Sequence, residues 1–315
     1  MGAAVSNVIS PYVFPAPTRN YKPNFEDACF QSFAIPVGED EDSRRVFGLC
    51  SHRTSAHKRF CVYSHGNAEN LSMIAQFVHK KSETLKCRTF MYEFTGYGPL
   101  NDAEPSERHV YEDVEGAIRF VLANKLNEVR DVSDVCESGF FETRKHKTNR
   151  SLVRLRISKK HAQIRRRAQI RRFGVARPRA QELPIILYGR SLGCAPTLYA
   201  AAKFKSVVSC VVLESPFYSI FATQIPKQVA LVSKSMDMFR NYEHARGVTA
   251  PTVVVHGSAD GIVPCENSAQ LIKELRGAPE NGVWRKVIAG AGHNDLWLAN
   301  NEAELYIRDF LDVYA

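Results

Sequence analysis

Three side chains that lie far apart in the sequence are of the types that carry out acyl transfer. Ser191 sits in YGRSLGC, with Gly189 and Gly193 two residues to either side. The apolar run LPIILYG precedes it and a helical pattern opens at about Gly193, so the hydroxyl belongs at the tip of a strand-to-helix turn. Small neighbours are required there, because a strained elbow leaves no room for adjacent Cβ atoms. A serine hydroxyl is a weak nucleophile until a base within hydrogen-bond reach takes its proton. Downstream, VVVHGSADGIV places Asp260 just beyond a buried strand, and VIAGAGHND places His293 in a glycine-bracketed loop beyond the next. Nucleophile, acid, base is one of the known chain orders for a catalytic triad. Glu214, at the end of VVLES, is the substitute acid; His65 and His256 also precede glycines at strand ends and read as turn-shaping residues.

The negative oxygen formed on attack needs backbone N–H donors. One is expected from Leu192, the residue after the nucleophile, and the other from Asn67, in the YSHGNAEN loop where Gly66 lets the backbone turn. This chemistry needs no cofactor and no metal. No His/Cys cluster has ligand spacing, and no nucleotide-binding glycine string occurs.

The elements that must position these groups alternate. QSFAIPV and RRVFGLCSH read as an opening pair of strands, followed by the strand RFCVYSHG and a helix from Asn70 to about Lys86. The strand RTFMYEF and an amphipathic helix capped by Ser106 come next. After an interruption come the nucleophile strand and its helix, the strands VSCVVLES and PTVVVHG, a helix near Asn267 to Leu275 and the strand WRKVIAG. DLWLANNEAELYIRDFLDVY closes the chain as a helix. Near-continuous apolar strands between helices predict an α/β fold, a mostly parallel central sheet with helices on both faces. Strand C-termini then converge on one rim, where sites of open α/β sheets lie. The domain is predicted over 25–315, with residues 1–24 as a separate membrane-contact segment.

The interruption, at about 128–181, is a basic insert. The chain carries 42 Lys and Arg against 33 Asp and Glu, a net +9. Residues 144–179 hold 15 of those cations and no acid, so the rest of the chain is mildly acidic. The insert, with its repeated AQIRR, reads as a disordered loop, with a membrane-surface or nucleic-acid patch as the alternatives. The aromatic and Met-containing stretch from Phe217 to Gly247 reads equally as a lid or acyl groove and as core packing. Eight cysteines are scattered without a CxxC pair, no secretory leader is legible, and no apolar run approaches membrane-spanning length. A reducing, cytosol-facing environment is expected.

Taken in order, SHGNAENL, YEFTGYG, PSERHVYEDVEGA, IILYGRSLG, VVLESP, PTVVVHGSADGIV and GAGHND resemble the alpha/beta-hydrolase-domain 17 proteins over roughly 25–125 and 183–312. Those are membrane-attached serine hydrolases that remove palmitate from cysteines of other proteins. The resemblance implies the alpha/beta-hydrolase fold, with Ser191 as nucleophile, Asp260 as acid and His293 as base. Glu93 stands where the family usually has Asp, the basic insert is additional, and the family's N-terminal cysteine cluster has no counterpart before Cys29. In its place MGAAVS fits an N-myristoylation pattern, with Gly2 as acceptor and Ser6 in register. One such chain binds bilayers only marginally. The apolar VISPYVF, Val8 to Phe14, and the insert's cations would supply the second contact, the latter with an anionic inner leaflet. The resulting expectation is a peripheral enzyme on the cytoplasmic face of plasma or endosomal membranes, partly cytosolic, acting on S-acylated membrane proteins. No nucleic-acid partner is expected. A prolyl-oligopeptidase-like peptidase and a lipid or small-ester carboxylesterase share the triad. A membrane or nucleic-acid adaptor built on the basic insert is the non-enzymatic alternative.

Overall fold

The computed structural model describes residues 14–17, 29–38, 44–100, 103–129, 181–220, 237–297 and 301–315. The expectations for Gly2, Ser6, Val8 to Val13, most of the insert and the middle of the 217–247 stretch fall outside them. The contacts divide the chain into two units, 1–127 with 183–315, and 128–182.

In the larger unit, two strands, β1 (Phe30–Val37) and β2 (Arg44–Ser51), form an antiparallel pair. The remaining strands are β3 (Arg59–Ser64), β4 (Cys87–Tyr92), β7 (Ile185–Arg190), β8 (Val208–Glu214), β9 (Thr252–Gly257) and β10 (Val283–Ile288). They build one eight-stranded sheet in the order β1-β2-β4-β3-β7-β8-β9-β10. Every pairing from β4 through β10 is parallel. The central strands are buried along their whole length, as apolar runs covered on both faces must be.

The two faces can be read from the strand period. Cys61, Tyr63, Ile186, Tyr188, Cys210, Val212, Val253 and Val255 share one core cluster with Leu71, Ile74 and Val78 of helix α1 (Leu71–Thr84). Ile307, Phe310 and Leu311 of the closing helix join it. The opposite face carries helix α2 (Glu107–Ala123) and helix α3 (Cys194–Lys203), which follows the nucleophile. The expected N-cap forms, Ser106 accepting from His109 N–H, and Asn70 caps α1 in the same way, its side chain accepting from Met73 N–H. Short helices α4 (Asn241–Ala245) and α5 (Glu266–Leu271) complete the elements before the end, the latter running into a 3-10 turn over Ile272–Glu274. All seven cysteines among the described residues are free thiols, and no helix there is long and apolar enough to cross a membrane.

Two expectations are corrected. The closing helix α6 spans Glu302–Tyr314, not the whole stretch from Asp295. Asp295 is taken by the Gly292 N–H at 2.5 Å, and Leu296 is buried in a small cluster with Ile288, Ala291 and Ala303. Residues 295–297 therefore lie outside the helix, and Asn301 precedes it in the left-handed region at φ 58°. Phe14, expected to meet a membrane, is 4% exposed and packs edge-on against Phe239 at 5.7 Å. An aromatic side chain gains as much from a protein core as from lipid, about 2–3 kcal/mol. Phe217 and Phe239 are buried too, so these flanks of the 217–247 stretch are core packing. Phe221, Ile225, Val229, Leu231 and Met236 lie outside the described residues.

Within the larger unit, the residues on either side of the insert are hydrogen-bonded to each other. Leu183 N–H donates to the Asn127 carbonyl at 2.8 Å. In the smaller unit, β5 (Glu128–Val129) pairs antiparallel with β6 (Gln181–Glu182). Deleting 140–180 is therefore expected to shift the melting temperature by no more than about 2–4 °C. Any hydrolase activity of the intact chain should be nearly unchanged in this variant; a folded but inactive deletion variant would show that the insert serves the site.

Candidate active site

Strand β7 ends at Arg190, and Ser191 follows with φ 51°, a left-handed conformation unfavourable for a residue with a Cβ. The chain then enters a single 3-10 turn and α3. A Cβ on Gly193 would stand 2.1 Å from the Ser64 carbonyl oxygen, and one on Gly189 would stand 2.4 Å from that of Gly193. The elbow thus needs both glycines, and it is pressed directly against the loop that leaves β3. Leu192 N–H lies in the first turn of this helical segment, where backbone donors lack helical partners and the dipole favours negative charge.

His293 Nε2 is 2.9 Å from Ser191 Oγ, and His293 Nδ1 is 2.7 Å from Asp260 Oδ2. The three expected triad residues are brought together, from segments 33 and 102 positions apart. Asp260 is fully buried at its side chain, and the site surrounds it with donors. Its Oδ1 accepts from Ile262 and Val263 N–H at 3.0 and 2.8 Å. Its Oδ2 faces His293 and also His256 Nε2 at 3.2 Å. Burial would raise the Asp260 pKa, but the bonds from His256, His293 and Val263 outweigh it and hold the carboxyl well below the usual carboxylate range. His256 Nε2–H donates to the Val263 carbonyl at 2.9 Å, as expected of a turn-shaping residue, and the same nitrogen stands beside the acid.

The Asn67 loop is organised by its own peptide groups. His65 Nδ1–H donates to the Gly66 carbonyl at 2.8 Å. In a trans peptide the N–H points opposite to the C=O, so this bond sets the direction of the Asn67 N–H. His65 is fully buried, and its Nε2 lies 3.3 Å from Glu93 Oε2. Burial disfavours the imidazolium, but the Glu93 bond and charge prevail, so the His65 pKa is raised. Glu93, the departure from the family pattern, also accepts from Leu71 N–H at 2.7 Å and so anchors the start of α1. The Asn67 side chain accepts from Tyr97 OH at 2.6 Å.

Glu214, the substitute acid, is engaged elsewhere. Its Oε2 accepts from Lys81 Nζ at 2.6 Å and Tyr188 OH at 2.5 Å, and Arg190 Nε lies 3.4 Å from its Oε1. Burial works against its charge, but Lys81 and Arg190 win and depress its pKa from 4.5 to about 2. A depressed carboxyl stabilises the fold above its unfolded pKa, and that contribution disappears as pH falls through the folded value. The melting temperature should therefore drop between pH 4.5 and about 2, a loss of about 3 kcal/mol from this group. Glu214→Gln should be less stable at pH 7, because Lys81 loses its partner, and should show a flatter decline over that window. An unchanged slope would remove Glu214 as the cause. Sequence reading missed Lys81, Arg190 and Glu69 because nothing local marks their pairing.

Comparisons with known proteins agree with this architecture. The model of the prolyl oligopeptidase family matches residues 171–314. The chain is 24% identical over 253 residues to alpha/beta hydrolase domain-containing protein 17B of Xenopus tropicalis and of Homo sapiens, with 80% of this chain aligned. It is 25% identical over 247 residues to protein 17C of Xenopus tropicalis, with 78% aligned. The matched region spans 65% of the length of the 17B proteins and 60% of 17C. An esterase from Pyrococcus furiosus superposes with a TM-score of 0.60 at 12% identity, covering 96% of both chains. A protein from Thermoplasma acidophilum described as a predicted CIB-like hydrolase gives 0.51 at 13% identity, over 90% of this chain and 97% of that one. The fold is that of the alpha/beta hydrolases, and the motif resemblance to the hydrolase-domain 17 proteins extends over most of the chain.

Proposed function

We propose that this alpha/beta hydrolase is a serine hydrolase whose substrates are fatty-acyl thioesters, palmitate above all, on cysteines of membrane-associated proteins. One observation carries the reaction class: Ser191 Oγ, His293 and Asp260 form a continuous hydrogen-bonded relay of 2.9 and 2.7 Å at a strained elbow. The substrate class is supported by the resemblance to the hydrolase-domain 17 proteins.

In this mechanism Ser191 Oγ attacks the thioester carbonyl while His293 Nε2 takes its proton. Asp260 keeps the Nδ1–H tautomer in place and stabilises the imidazolium. The N–H groups of Leu192 and Asn67 receive the oxyanion. Collapse of the tetrahedral intermediate breaks the C–S bond, and the cysteine sulfur leaves with the proton from His293. Water, deprotonated by the same imidazole, then hydrolyses the acyl-serine, so that one thioester and one water yield one thiol and one fatty acid.

The prolyl oligopeptidase match over 171–314 favours a peptidase as the second reading. The two differ in the leaving group: a cysteine thiol has a pKa of about 8.5, whereas an amide nitrogen departs only after protonation. A panel of palmitoyl thioester, palmitoyl ester, short ester and prolyl peptide decides between them. The palmitoyl thioester is expected to lead in kcat/KM by about tenfold or more; a peptide or short ester in first place would overturn the assignment.

Membrane contact is part of the proposal, with an acyl chain on Gly2 and the insert's cations facing an anionic inner leaflet. Gly2→Ala should move most of the protein from the membrane pellet to the supernatant after cell fractionation. An unchanged distribution would remove Gly2 acylation as the anchor.

A further inference from the structure

We infer that Arg190 is a positioning residue that locks the base loop, the oxyanion loop and the nucleophile elbow into one register, an inference that rests on the hydrolase reading above. The residue immediately precedes Ser191, and its side chain is 5% exposed. Its Nη1 donates to Glu69 Oε1. Its Nη2 donates to Asn294 Oδ1 at 2.7 Å and, more weakly, to the His293 carbonyl at 3.4 Å. Nε faces Glu214 at 3.4 Å, and the guanidinium lies 5.2 Å from the Trp297 ring centroid.

These partners come from three different segments. Glu69 belongs to the loop after β3, Glu214 to the end of β8, and His293, Asn294 and Trp297 to the loop after β10. Glu69 passes the constraint on, because its Oε2 accepts from Gly66 N–H at 2.8 Å, one peptide before the proposed oxyanion donor. The fit is close: a Cβ on Gly66 would stand 2.8 Å from Arg190 Nη1 and 2.9 Å from Glu69 Oε2.

The chemistry suits arginine alone. A guanidinium presents its donors in one rigid plane, so the base loop cannot slide relative to Glu69 without breaking a charge-assisted bond. An ammonium on a flexible stem supplies one point charge and cannot span these groups. Two carboxylates compensate the buried cation, which would otherwise be costly to desolvate. His293 must stay within hydrogen-bond reach of Ser191, and its own backbone carbonyl is held by the clamp. Displacement of a reacting group by about 1 Å costs about a hundredfold in rate.

The test uses the full chain with Arg190→Lys, Asn294→Ala and the double variant. Stoichiometric fluorophosphonate labelling counts competent sites, and kcat and KM for a palmitoyl thioester are expressed per labelled site. A scaffold role would lower the number of sites without changing kcat for each. For Arg190→Lys, kcat per site is expected to fall by about tenfold to a hundredfold, with KM within about twofold. Asn294 is exposed, so Asn294→Ala should keep the fold and still lose about threefold or more. Because Asn294 acts through Arg190, the double variant should be no slower than Arg190→Lys. Wild-type kcat per site in both single variants overturns the inference, as does a fully multiplicative loss in the double. A wild type that is neither labelled nor active would sink the hydrolase reading, and the clamp with it, before any variant is made.

Discussion

Ser191→Ala is expected to lower turnover of the palmitoyl thioester by about 10⁵-fold or more, to the level left by the oxyanion donors and substrate binding. The melting temperature should stay within a few degrees of wild type. The reason lies in the geometry: Oγ is the only atom removed, and its recorded partner is His293 Nε2 at 2.9 Å. Alanine leaves the elbow to its neighbours, and the φ of 51° remains tolerable because the strand and helix on either side hold it. Fluorophosphonate should label the wild type and not the variant. Substantial activity in Ser191→Ala would remove the mechanism, and failure to label the wild type would favour an adaptor with an inert hydrolase core.

Asp260→Asn should cost nearly as much, roughly 10³–10⁴-fold in kcat, with little change in KM. Four donors converge on this carboxylate: two backbone N–H groups on Oδ1, and His293 with His256 around Oδ2. An amide has one oxygen and one NH₂ group, so one pair of donors must then face another donor. If the oxygen stays on the backbone N–H groups, His293 meets the NH₂, is driven to the other tautomer, and can no longer accept the serine proton at Nε2. If the amide flips, the loop at Ile262 and Val263 loses its anchor. Activity within tenfold of wild type would show that Glu214 or a water substitutes for the carboxylate.

The parts of the site that were legible share a property: each is written in a short string. The elbow is a strand, two glycines and a helix within a dozen residues, and the acid and base each follow an apolar run and a glycine. The supporting network is not local. Lys81 meets Glu214 across 133 positions and Arg190 meets Asn294 across 104, and in isolation each charge looks like a solvated surface residue. The same blindness explains the closing helix. Apolar spacing from Leu296 onward continues the helical period, yet Leu296 serves the Ile288 cluster and Trp297 packs at a tilt against Phe77, so the period there is fortuitous. Composition cannot distinguish an aromatic residue bound for lipid from one that, like Phe14, seats against Phe239.

The seating of Phe14 also sets a leash. With the segment fixed to the body at that residue, the acyl group proposed for Gly2 would be joined to the enzyme by only the chain between positions 2 and 14. Fully stretched, that chain spans at most about 40 Å. Under the proposed anchoring, that length plus the enzyme's own dimension bounds the distance from the bilayer at which a tethered molecule can act.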